Sequence, residues 1–342
     1  MLATYLHNIS PYLWQFPGSQ FGIRWYGFSY LMGIISGYLL LRYLSRKGKL
    51  PIALPQIADF VLMLGIVGVI GGGRMGHVFF YDPKLLLDFS TSVPFWGVLR
   101  IYDGGMSAHG GVIGVILVLI FWSWRYKVSF WRIGDAITMV VPLGLMFGRI
   151  ANFINGELYG KVTKVAWAVQ FPQEIKFPPD SPTEPRVTDA ALNSMLDSLL
   201  TKHPEYETLL RFPRQGLIDL AQRGEQPIIN ALQTILPTRH PSQIYECLLE
   251  GVLLFILVWS VGMWAKRPGL AGATFMLGYP VMRIIGEQFR VGDAPIPLLG
   301  REFSLGEIYS AVMFLAGLVV LALVLRRKEN NGSQPNLNTP PQ

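Results

Sequence analysis

An all-α integral membrane protein, with seven transmembrane helices and a small extracytoplasmic inserted domain, is the fold this sequence predicts. Three observations predict it. Of 342 residues, 51% are hydrophobic and 15% charged, whereas a soluble domain carries about 25% charge; the mean hydropathy is +0.36. Several apolar windows reach the roughly 20 residues that cross a hydrocarbon core. Basic residues collect in alternate connections between those windows, as they do in cytoplasmic loops. That clustering accounts for the net charge of +7 and the pI near 9.4 without nucleic acid as a partner. The single cysteine, Cys247, falls inside a span and rules out an intrachain disulfide. The N-terminus lacks a basic region followed by a small-residue cleavage site, so no removable signal peptide is expected.

The helices are expected at 22–41, 57–80, 108–124, 133–155, 242–264, 270–289 and 304–325. The first opens behind Arg24, Trp25 and Tyr26, an interfacial cluster, and ends at Arg42, Arg46, Lys47 and Lys49. The second carries Gly71, Gly72, Gly73 and Gly76, small residues that admit a close neighbour, and Arg74, which packing does not explain. The third begins near Ser107-Ala108-His109-Gly110-Gly111 and, before the fourth, is followed by Arg125, Lys127 and Arg132. Pro241 suits the start of the fifth, which Lys266 and Arg267 separate from the sixth. Arg326, Arg327 and Lys328 close the seventh. These basic connections share one side, which is therefore cytoplasmic; the N-terminus lies outside and the C-terminus inside.

The opposite connections are mixed in charge. Residues 81–107 hold Asp82, Asp88 and Asp103, and 156–241 are rich in Pro, Asp and Glu, too polar to span and partly helical around 188–200 and 215–235. Within them, Phe177-Pro178-Pro179-Asp180-Ser181-Pro182 reads as an irregular connection. The expected division is a membrane body over 1–155 and 242–325, an extracytoplasmic head over 156–241, and a disordered cytoplasmic tail over 326–342.

The chemistry concentrates at the outer end of the fourth helix. Arg149, Asn152 and Asn155 recur every three residues and form one polar stripe where lipid should be; such groups persist in hydrocarbon when they face a polar cavity or a partner. His109 stands at a helix N-terminus, whose partial positive charge disfavours imidazolium. It is either a neutral proton acceptor or an interfacial histidine bonded to a headgroup or carbonyl. Tyr279, Arg283 and Glu287 share one face of the sixth helix, with Arg290 a turn beyond, as a functional group or as a buried structural ion pair. Gln243, Glu246, Cys247 and Glu250 share one face of the fifth, and His240 before it reads as interfacial. Arginine's planar fork suits phosphate oxygens and stays charged when desolvated, so this set fits an anionic phospholipid headgroup. His109 and Arg283 are expected beside Arg149. No paired metal-ligand spacing, P-loop or Ser-His-Asp arrangement is present in the sequence.

The stretch from Gly148 to Gly160, Gly-Arg-Ile-Ala-Asn-Phe-Ile-Asn-Gly-Glu-Leu-Tyr-Gly, resembles the signature of the prolipoprotein diacylglyceryl transferase family. Further blocks similar to that family follow its order along nearly the whole membrane body: Trp25-Tyr26-Gly27, Gly72-Gly73-Arg74, Asp103 to Ser107 with His109-Gly110-Gly111, His240 to Gln243 with Tyr245-Glu246, and Arg283 with Glu287. Arg24 stands where some members have histidine, and the 161–238 insertion is long.

The resemblance implies transfer of the diacylglyceryl group of phosphatidylglycerol to the thiol of a prolipoprotein's lipobox cysteine, with release of glycerol 1-phosphate. It implies a multi-pass protein of the bacterial inner membrane, with no metal or organic cofactor. Carried over by matching motif, the residues of interest are Tyr26, His109, Arg149, Asn152, Glu157, Gly160, Arg283 and Glu287. His109 is the expected base that makes the thiolate. Arg149 and Arg283 are expected to stabilise charge on the departing phosphate, with Glu287 orienting Arg283. Asn152 and Tyr26 would bond glycerol or ester oxygens. Glu157 would orient an arginine or position the peptide, and Gly160 would give a turn or close backbone approach. Cys247 reads as a small apolar filler. Two rival readings are a lipid or solute transporter, which internal repeats and a midplane site would favour, and a headgroup transferase using a carboxylate cluster with Mg²⁺.

Overall fold

The computed structural model describes residues 5–16, 21–176, 187–291, 296–298 and 301–327. The expected irregular connection at 177–182 and nearly all of the expected tail lie outside them. The chain is mostly helical. Ten helices matter here: α1 (Trp25–Arg46), α2 (Leu54–Phe80), α3 (Ala108–Tyr126), α4 (Phe130–Asn155), α5 (Asp189–Lys202), α6 (Pro213–Gln222), α7 (Gln226–Ile235), α8 (Ser242–Trp264), α9 (Leu270–Glu287) and α10 (Leu305–Arg326). Both α2 and α8 contain a wider π-helical stretch, at Leu64–Gly71 and Cys247–Leu253.

Among the described residues, α2, α3, α4, α8 and α10 are long and apolar enough to cross a membrane. By length and composition that is five helices where the sequence predicts seven. The other two are α1, diluted by Tyr26, Tyr30, Tyr38 and Arg42, and α9, which holds Arg283 and Glu287. The spanning helices turn their large side chains outward, as Ile66, Val67, Val69 and Ile70 do. Lipid tails are as apolar as leucine, so nothing drives such side chains inward.

Chain contacts define two compact units, Met1–Ile35 with Val141–Leu257 and Thr274–Val319, and Ser36–Val140 with Val258–Ala273 and Val320–Gln342. In the first unit, α5, α6 and α7 build a hydrophobic core of their own. Leu192, Met195, Leu196 and Leu199 recur at helical spacing along α5 and are all buried. Thr188 caps that helix, its Oγ1 accepting from the Ala191 amide at 3.2 Å, worth about 1 kcal/mol. Pro213 opens α6 and Pro227 lies in the first turn of α7, where a missing amide proton costs nothing. Three two-stranded ladders depart from the all-α expectation: β1 (Tyr5–Leu6) parallel to β4 (Val169–Gln170), and the antiparallel pairs β2 (Tyr12–Gln15) with β3 (Gly22–Arg24) and β5 (Ile296–Leu298) with β6 (Arg301–Phe303).

The second unit contains a glycine seam. A Cβ on Gly76 would lie 2.5 Å from the Gly110 Cα, and one on Gly72 would lie 2.8 Å from the Gly114 Cα. Small residues four apart on α2 and α3 let the two backbones meet, which dispersion rewards in lipid. The glycine cluster of α2 is therefore a packing feature. In the same unit Asp135 of α4 accepts from the amides of Gly269 (2.6 Å) and Gly272 (2.8 Å), capping the start of α9.

Candidate active site

The last turns of α4, the first turns of α8 and the end of α9 meet in one ion lattice within the first unit. Arg149 Nη1 lies 3.0 Å from Glu246 Oε2, and its Nη2 donates to Glu250 Oε2 at 2.9 Å. Arg283 Nη1 donates to Glu246 Oε1 at 2.5 Å and to Glu250 Oε1 at 3.4 Å, while its Nη2 lies 3.0 Å from Glu287 Oε2. Arg290 reaches Glu287 more loosely, at 3.7 Å. The Glu246 and Glu250 side chains are wholly buried. Buried carboxylates of this kind persist because they are paired. Here three arginines balance three glutamates, and removing one partner from such a set costs about 3–5 kcal/mol.

Arg283 meets Glu287, the i, i+4 partner on its own helix, and is shared with Glu246 and Glu250 as well. Three carboxylates converge here; arginine forks occupy them, and among the described residues no group of His, Cys, Asp or Glu is arranged to hold a metal ion. Sequence reasoning placed Glu246 and Glu250 on one helix face but left them out of the site. The missing information was the partner helix, which spacing along α8 does not carry.

The polar stripe of α4 divides into separate environments. Asn152 is buried and its Nδ2 donates to Glu157 Oε1 at 2.8 Å. The amide of Glu157 returns to the Asn152 carbonyl at 3.0 Å. Gly156, with φ +65°, makes this reversal possible, because a left-handed residue ends the helix and sends the chain back over its last turn. Glu157 thus engages Asn152, where an arginine partner or the peptide was expected. The first residues of α8 fix the same turn: Gln243 Nε2 donates to the Glu157 carbonyl at 2.6 Å and Ser242 Oγ to that of Leu158 at 2.9 Å. Asn155 Oδ1 is buried without a hydrogen bond.

Gly160 provides a close backbone approach. Its amide donates to the His240 carbonyl at 2.9 Å, and it forms an isolated bridge with Arg290. A Cβ there would collide with the Phe289 carbonyl and lie 2.7 Å from that of His240. The flanking segment is anchored by Arg239, a residue that sequence reasoning passed over. Its guanidinium donates from Nε and Nη2 to both oxygens of Glu174, at 2.7 and 2.5 Å, and from Nη1 to the Gly160 carbonyl at 3.2 Å. It also lies 4.9 Å from the centre of the Tyr159 ring. Arg239 is fully buried and Glu174 nearly so; their 65-residue separation hides the pair from any local pattern.

His240, expected to be merely interfacial, has its Nδ1 3.1 Å from the Tyr245 hydroxyl, which accepts from the Trp167 indole at 2.6 Å. Burial pushes the His240 imidazole below its ordinary pKa. Tyr26 lies in the first turn of α1 with its ring 5.2 Å from that of Tyr30. Arg24 donates to the Tyr12 hydroxyl at 3.2 Å. Cys247 is buried. His109 belongs to the second unit, exposed in the first turn of α3, whose N-terminus is capped by Ser107 Oγ accepting from the Gly110 amide at 3.1 Å. The structure therefore gathers Arg149, Arg283 and Glu287 into one lattice and joins Asn152 to Glu157.

Comparison with known proteins agrees with these motifs. A family model described as prolipoprotein diacylglyceryl transferase matches residues 11–323. The phosphatidylglycerol–prolipoprotein diacylglyceryl transferase of Bdellovibrio bacteriovorus is 32% identical over 337 residues, covering 94% of each chain. Those of Shewanella oneidensis and Geobacter sulfurreducens are each 33% identical, over 327 and 321 residues, covering 94% of this chain and 97% of theirs. With the signature at the end of α4 and a match along nearly its full length, the chain belongs to the prolipoprotein diacylglyceryl transferase family.

Proposed function

We propose that this chain transfers the sn-1,2-diacylglyceryl group of phosphatidylglycerol to the thiol of the lipobox cysteine of a prolipoprotein, forming a thioether and releasing sn-glycerol 1-phosphate. The names of its relatives support this reading over transport. The observation that carries it is a buried arginine–glutamate lattice built on the family signature.

In this reaction His109 takes the thiol proton, since the thiolate is the attacking species. Sulfur forms a bond to the glyceryl carbon as the carbon–oxygen bond to phosphate breaks, and the electron pair leaves with the phosphate. Fixed cations in a dry site stabilise such a developing charge strongly. Arg149 and Arg283 supply them, held in place by Glu246, Glu250 and Glu287. Arg290, the most loosely paired of the three arginines, is a further phosphate contact. Asn152 and Tyr26 bond glycerol or ester oxygens, Glu157 holds Asn152, and Gly160 keeps the backbone approach open. The nucleophile comes from the substrate, which leaves Cys247 to packing.

In the same reading α1 and α9 also cross the bilayer, giving seven spans in a bacterial inner membrane. The head over 156–241 is extracytoplasmic, between membrane bodies at 1–155 and 242–325, with the N-terminus outside and the C-terminus inside. Purified protein incubated with phosphatidylglycerol, a lipobox peptide and EDTA tests the reaction. Thioether-linked diacylglyceryl peptide is expected, at equal yield with and without chelator. Absence of thioether product from folded protein would overturn the reading, and loss of product with chelator would overturn its metal independence.

A further inference from the structure

Arg74 is a charged residue of α2 that neither the glycine seam nor the lattice employs. It is 5% exposed, within an apolar span. Among the described residues no carboxylate pairs with it; two acids of the neighbouring loop, Asp88 and Asp103, lie against Arg100 instead. Its charge is met by carbonyl dipoles. Nε donates to Val98 O and Nη2 to Gly97 O, both at 2.8 Å, and Nη1 donates to Gly104 O at 2.6 Å and Gly105 O at 3.0 Å. A leucine would fill this place in lipid without the cost of burying a cation, so packing alone does not explain an arginine here.

The acceptors lie at both ends of one loop. Gly104 and Gly105 take φ of +87° and +79°, a left-handed pair that turns two successive carbonyls toward the same nitrogen. A Cβ on Gly105 would lie 2.9 Å from Arg74 Nη1 and 2.5 Å from His77 Nε2. Two residues on, the Ser107 amide donates to the Gly73 carbonyl at 2.9 Å, and Ser107 caps the turn that carries His109.

We infer that Arg74 is a positioning residue: its guanidinium draws Gly97, Val98, Gly104 and Gly105 onto α2 and so fixes the backbone that delivers His109 to the reaction. This rests on the reading that His109 takes the thiol proton. Lysine keeps the charge but not the planar fork that meets acceptors on both edges. A displacement of about 1 Å at a reacting group costs on the order of 100-fold in rate.

The test uses the full chain in detergent micelles, as wild type, Arg74→Lys, Gly105→Ala and His109→Gln. Hydrogen exchange is followed in peptides covering 97–107, and kcat and KM for phosphatidylglycerol are measured with a lipobox peptide as acceptor. For Arg74→Lys and Gly105→Ala, faster exchange confined to 97–107 is expected, with kcat reduced about 10- to 100-fold and KM unchanged within about twofold. Unchanged exchange, faster exchange with normal kcat, or a loss expressed mainly in KM would overturn the inference. If neither variant folds, Arg74 is part of the fold and the positioning role falls. Full turnover by His109→Gln, beside a loosened loop and low kcat in Arg74→Lys, would remove His109 as base and show that the loop positions another group.

Discussion

Replacing Glu174 by glutamine probes how strongly the segment beside the signature is held. The substitution keeps shape and removes one charge. Arg239, fully buried, would lose its carboxylate partner, with the Gly160 carbonyl at 3.2 Å and the face of Tyr159 at 4.9 Å still beside it. A buried ion pair broken on one side costs about 3–5 kcal/mol, because the remaining charge is desolvated without compensation. Replacing both partners, as Arg239→Met with Glu174→Leu, removes the charge altogether and should cost less than either single change. The consequence extends to the site, since Arg239 pairs with Val169 through its backbone and the next residue, His240, accepts from Gly160. Unfolding free energies from denaturant titration in mixed micelles, measured for wild type, both single variants and the double, give the comparison. A Glu174→Gln variant within about 1 kcal/mol of wild type, or a double variant at least as costly as the two singles combined, would refute the argument.

Four further outcomes are expected. Arg149→Lys should lose at least about tenfold in kcat/KM, because a point charge cannot span Glu246 and Glu250 and still meet phosphate; near-normal turnover would contradict it. Gly160→Ala should lose activity in protein that still folds, since the new methyl meets the Phe289 and His240 carbonyls; a fully active variant would show that this strand has slack. Cys247→Ala should remain active in the thiol-transfer assay, and inactivity of folded protein would return the nucleophile to the enzyme. The last concerns pH. His7 is buried between Phe153 and Phe171, neither ring nitrogen has an aligned hydrogen bond, and burial lowers its pKa from 6.5 to about 4. The unfolded chain therefore binds the extra proton first as pH falls. Stability is fully present above pH 6.5 and declines toward pH 4, by about 3 kcal/mol across that window. His7→Phe should flatten that part of a stability–pH curve, and an unchanged slope would remove His7 as its source.

Local pattern was enough for much of the molecule. The apolar windows located the helices within a few residues; 242–264 matches Ser242–Trp264, while α1 extends to Arg46, past the expected end at 41. The glycines of α2 announced a close neighbour without naming it, and Gly110 and Gly114 of α3 proved to be that neighbour. Arg283 and Glu287, four residues apart on one helix, were legible as a pair. The short ladders were not legible, because two or three residues of strand leave no periodic trace.

By itself the sequence determined the membrane class, the helices and the family, because hydropathy, periodicity and a contiguous signature are all local properties of the chain. The tertiary structure alone decided the partners. Glu246 and Glu250 became ligands of Arg149 and Arg283 only when α4, α8 and α9 came together. Glu174 found Arg239 across 65 residues, and Arg74 found four carbonyls in a loop more than 20 residues away. A buried charge must be compensated, and burial says that a partner exists. Which group it is depends on distance in space, and spacing along the chain does not encode that.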